Sequence, residues 1–125
     1  MSIQTTDSIC PAGSTVFASV TNTATSVYVT ALQPVNVYHI VNSGAAPVQV
    51  RFGANLASPV TAVFPTSTVP SLGSIVGGGL ASTLTIPSAL FSLIGTANGL
   101  NSNVQISLIS NSGTAANVFI TPIVV

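Results

Sequence analysis

The sequence predicts an all-β protein: an antiparallel β-sandwich, jelly-roll-like, with at most one short helix. Three observations carry that expectation. Apolar residues alternate with a period of two rather than 3.6. Short runs rich in Val, Ile, Thr, Tyr and Phe are bounded by Gly, Pro, Asn and Ser, the residues that turn a chain. About eight such runs are packed into one chain, a density typical of two-sheet architectures.

Residues 1–13 read as an N-terminal arm, and residues 14–125 as a single sandwich domain. Thr15–Val20 and Val27–Leu32 are strand-like and flank a turn of Thr, Asn and Ser. In "VNVYHIV", Val35, Val37, His39 and Val41 share one face; in "VQVRF", Val48, Val50 and Phe52 share a face, with Gln49 and Arg51 on the other. The "NSG" at Asn42–Gly44 and the residues after it read as the turn of a hairpin joining these two strands. "VQISLISNSGTAANVFITP", Val104 to Pro122, repeats the device, so that Val104, Ile106 and Leu108 match Val35, Val37 and His39. Val60–Phe64 and Ser82–Ile86 read as further strands on either side of a Pro-, Gly- and Ser-rich segment, 65–81. That segment exceeds the usual loop length and is expected to bind a partner or be ordered by one. "PSALFSLIG", Pro87 to Gly95, is the one candidate helix, with Ser88 as cap and Gly95 as stop.

Composition narrows the function. Hydrophobic residues make up 47 % of the chain, but charged residues only 2 %: Arg51 and Asp7, with His39 the only histidine. Typical soluble domains carry roughly 25 % charged residues. A net charge of zero removes the usual guard against self-association. A protein living inside an assembly has no need of that guard, and a homo-oligomer, a trimer in the first instance, is expected. The mean hydropathy of +0.75 raises the question of a membrane. Polar residues, Gly or Pro break every apolar run before the ~20 residues a spanning helix needs, and the aromatic girdles of a membrane barrel are missing. "MSIQTTDSIC" has no basic stretch followed by an apolar one, so no signal peptide is expected.

Chemistry is hard to assemble from this alphabet. A Ser-His-Asp triad would have to use His39 and Asp7, with no G-x-S-x-G elbow to present the serine. Zinc needs three or four ligands, and Cys10, His39 and Asp7 are the whole supply. Paired carboxylates cannot exist with one acid. "GGG" at Gly77–Gly79 has no Lys or Thr companion for a phosphate loop, and Arg51 alone cannot neutralise a nucleic-acid backbone. Cys10, unable to form an internal disulfide, reads as a small structural residue. The Thr clusters are too short and irregular for an ice-binding array. The expectation is a non-enzyme without cofactor or metal, binding neither nucleic acid nor membrane. Arg51, His39 and Asp7 are its candidate partner contacts: His39 packed inward or at a subunit contact, Arg51 facing outward to a partner or solvent, and Asp7 a possible mate for Arg51. His39→Leu is expected to be tolerated, because Leu108 occupies the matching place.

The segment "VYHIVNSGAAPVQVRFG" carries an apolar strand, Val41-Asn42 and Gly44, a short turn, and a strand ending Val50-Arg51-Phe52-Gly53. With the closing Val118, Ile120, Thr121 and Pro122 it resembles a pattern in small virion proteins of tailed bacteriophages. The resemblance covers both NSG segments, and its motifs are short. It implies a β-sandwich in the virion, made in the host cytoplasm, that decorates or cements the capsid by binding the major capsid protein or another virion protein. A head or tail fibre module that binds a receptor or glycan is the alternative.

Overall fold

The computed structural model describes residues 10–30, 37–53, 60–71, 73–85 and 103–124. Among them are nine strands and no helix: β1 (Cys10–Pro11), β2 (Val16–Val20), β3 (Thr25–Thr30), β4 (Val37–Asn42), β5 (Val48–Phe52), β6 (Ser74–Val76), β7 (Ala81–Thr85), β8 (Asn103–Ser110) and β9 (Ala116–Val124). The candidate helix at 87–95 and the arm residues 1–9, Asp7 included, lie outside the described residues.

Two antiparallel sheets pack face to face. In the first, β9 lies between β4 and an edge made of β1 and β2, and β7 pairs with the far side of β4. In the second, the order is β3-β8-β5-β6. Consecutive strands β2 and β3, β4 and β5, β6 and β7, and β8 and β9 each divide between the two sheets. Alternation then fills the space between them. Ala18 and Val20, Tyr38 and Ile40, Val118 and Ile120 come from the first sheet; Val29, Val48, Val50, Val104, Ile106 and Leu108 come from the second. Each large side chain so buried stabilises the fold by roughly 1.5–3 kcal/mol. The Tyr38 ring leans on Phe52 across the core, centroids 5.5 Å apart.

Neither NSG segment is a hairpin turn. β4 pairs with β7 and β9, β5 with β6 and β8, and β8 and β9 lie in different sheets. Both segments are corners that carry the chain from one sheet to the other. The first corner is fastened by Asn42, which is fully buried. Its amide nitrogen donates to the Ala46 carbonyl at 2.9 Å and to the Val76 carbonyl at 3.2 Å, while its oxygen accepts from the Gly44 N–H at 3.0 Å. Gly44 and Gly78 let backbones meet there: a Cβ on Gly44 would collide with the Ala116 methyl, and one on Gly78 with the Ala45 carbonyl. At the second corner the Ser110 N–H donates to the Thr21 carbonyl at 2.8 Å, tying β8 to the β2–β3 connection.

Val60–Phe64 is not a strand. It is a strap across the outer face of the second sheet, and it explains two buried polar residues. Gln105 and Ser107 alternate with the core residues of β8 and so point away from the core, yet both are buried. Gln105 grips the Val60 backbone at both its N–H (3.0 Å) and its carbonyl (2.9 Å), and Ser107 accepts from the Ala62 N–H at 2.8 Å. Farther along, the buried Gln49 donates to the Ser71 hydroxyl at 2.7 Å. Within the span expected as one long loop, Ser74–Val76 forms the short strand β6. Cys10 and Pro11, grouped by sequence with the arm, pair with β9, and Ala12 joins the core.

Candidate functional site

The outer faces of the two sheets differ. The second is crossed over β8 and β5 by the chain's own strap. On the first, the strand registers build two rows of side chains with no Asp, Glu, Lys or Arg in either. One row runs Phe17, Phe119, Val41, Ala81 across β2, β9, β4 and β7. Phe17 is 52 % exposed and Phe119 37 %, and their rings meet at 5.5 Å in a tilted pair. The adjoining row runs Thr121, His39, Thr83 and is extended by Thr15, whose hydroxyl lies 2.6 Å from that of Thr121. Strict alternation along β4 and β9 places both rows on one side of the sheet. Cross-strand aromatic contacts of this kind hold neighbouring strands together and leave an apolar surface exposed.

His39 belongs to this face. It shares a side with Val37 and Val41, as alternation predicts, but that side is the outer one: Tyr38 and Ile40 enter the core instead. Of the two placements expected for His39, inward or at a subunit contact, the inward one is therefore incorrect. The match to Leu108 misled, because Leu108 points into the core whereas His39 is half-exposed outside it. His39 Nδ1 lies 3.5 Å from the Thr83 hydroxyl, a long contact that leaves the ring available to another donor or acceptor.

Arg51 faces outward from the second sheet, as alternation predicts. Its Nη1 donates to the Thr61 carbonyl of the strap at 3.3 Å. His39 and Arg51 thus stand on opposite outer faces of the sandwich, and no single site contains both. Among the described residues, no three His, Cys, Asp or Glu side chains come together to hold a metal ion. No helix among them is long and apolar enough to cross a membrane, which says nothing about a β-barrel.

Burial pushes the Tyr38 phenol up to about 12, since the core disfavours the phenolate. Tyr38 is a core residue rather than part of either outer face. Sequence reasoning missed Phe17 and Phe119. The available signal was an aromatic residue at the polar position of an alternating run, in "TVFASV" and again in "NVFITP".

The arrangement can bind by apolar contact flanked by hydroxyl and imidazole hydrogen bonds. Compared with known proteins, the chain matches no family model, and no curated protein is detectably similar to it.

Proposed function

We propose that this is a virion structural protein of the capsid decoration or cement type, a non-enzyme that docks on a repetitive protein shell through the outer face of its first sheet. The observation that carries the reading is the uncharged row Phe17, Phe119, Val41 and Ala81, exposed on one sheet while the chain's own strap crosses the middle of the opposite sheet. Patches of exposed aromatic residues mark protein interaction sites, and aromatic anchors dominate their energetics. A partner of matching character is an uncharged shell surface, because a charged one would lose its hydration with no countercharge in return. On a lattice, many modest contacts of this kind add up through avidity and stabilise the assembled shell by mass action.

The topology supports the same reading. From β2 to β9 the sheets hold strands 2-9-4-7 and 3-8-5-6, an order that supports the jelly-roll reading, and jelly rolls are frequent among viral capsid and lectin domains. Fold alone does not select the function, so the test is physical association. Purified particles from the source of this chain are banded on a density gradient and probed for the protein. The reading expects it in the particle band at many copies per shell. Recovery only as free protein contradicts it.

A further inference from the structure

The four sheet edges are not equally protected. The β1–β2 edge carries Pro11 and a bulge: the four residues Ala12 to Thr15 lie opposite only two, Thr121 and Pro122, on β9. Prolines and bulges are devices that discourage edge-to-edge pairing. β6 is only three residues long. β3 has none of these guards. It runs six residues in unbroken register with β8, without proline, charge or bulge, and no described strand pairs with its other side. Two of its residues sit as an unfinished edge would leave them. Val27 packs on the core yet is only half-buried, and Tyr28 is 46 % exposed.

The sequence of β3 indicates what completes it. Ser26-Val27-Tyr28-Val29-Thr30 reads hydroxyl, valine, tyrosine, valine, hydroxyl in either direction. A two-fold axis pairs identical strands antiparallel and sets each residue against its mirror position. Paired residues must point to the same face, so the axis must fall on a residue rather than between two. Centred on Tyr28, it sets Tyr28 against the partner's Tyr28, Val27 against the partner's Val29 and Ser26 against the partner's Thr30. Every pair is then alike in kind, and valine faces valine on the core side. β7 is also unguarded, but Ala81-Ser82-Thr83-Leu84-Thr85 centred on Thr83 would set Ser82 against Leu84. We infer that β3 is a two-fold interface: two copies of this chain pair through β3, Tyr28 opposite Tyr28, to form one continuous sheet of eight strands. This goes beyond attachment to a shell and does not depend on it, since the surface is an edge and the occupant a second copy. A two-fold pair differs from the trimer expected from composition, and sedimentation distinguishes the two.

The native tyrosines supply the test. The chain has two, and Tyr38 is buried in the core. Photo-oxidation of the isolated protein should therefore form a dityrosine-linked dimer through Tyr28 alone. Tyr28→Phe should abolish the cross-link while sedimentation still reports a dimer. Tyr28→Lys places like charges opposite one another and should weaken the dimer about tenfold or more. Because Tyr28 is exposed, the fold of that variant, read by circular dichroism and thermal melting at low concentration, should be retained. A native protein that sediments as a monomer at every concentration or as a trimer, a dimer that yields no dityrosine, or a Tyr28→Lys protein that dimerises as well as the native one would each overturn the inference.

Discussion

Asn42 concentrates several tasks in one side chain. It spans the first corner, satisfies two carbonyls that arrive from different segments, and fixes the Gly44 N–H, all without access to water. Removing one partner from buried groups costs their full desolvation. Asn42→Ala should therefore lower stability by about 2–4 kcal/mol in denaturant titration, far more than an exposed Asn would. Tyr38 makes a different prediction. Its folded-state value near 12 lies above the ordinary 10.0, so the unfolded chain releases this proton first as pH rises. The stability that Tyr38 contributes is present in full below pH 10 and is lost between pH 10 and about 12, at about 1.4 kcal/mol per pH unit. Melting curves across that range should show the loss, and Tyr38→Phe should remove this part of it while leaving neutral-pH stability nearly unchanged.

At the scale of elements, the strap is the feature that depends most on a few bonds. Gln105 holds the Val60 backbone through both its N–H and its carbonyl and also donates to the Ser26 hydroxyl at 3.0 Å. Gln105→Ala should release the strap from β8. In hydrogen exchange the Val60 and Ala62 amides should lose protection while those of β8 keep theirs, since local opening there leaves the two sheets paired. Equal loss across the second sheet would mean that the strap is not a separate unit. The strands themselves are legible from sequence because their period is two, and β2, β4, β5, β8 and β9 fall close to where alternation puts them. Their partners are not. Alternation fixes which residues share a face, but it is silent on which strand lies alongside. The five residues from Ser43 to Pro47 suit a hairpin loop and equally bridge two sheets roughly 10 Å apart. The same silence hid the orientation of β4. "VNVYHIV" is apolar on both faces, because its outer face lies beside Phe119 and its inner face is core, so the pattern left open which side His39 would take. Val60–Phe64 reads as a strand for a related reason: a strap lying against a sheet needs apolar residues too.

For the whole molecule, the near-absence of charge is the property that governs association. With one cation engaged by the strap carbonyl and one acid in the entire chain, attachment must rest on apolar contact and neutral hydrogen bonds. Such binding is insensitive to screening, whereas ion-pair docking weakens as salt rises. The most direct measurement is co-sedimentation of the protein with intact particles from about 0.01 M to about 1 M ionic strength, over which the Debye length falls from ~30 Å to ~3 Å. The native chain should be retained equally throughout. A Phe17→Ser, Phe119→Ser variant, folded by the same spectroscopic criteria, should be released at every ionic strength. Steep loss of the native protein as salt increases, or full retention of the double variant, would contradict docking through the uncharged face.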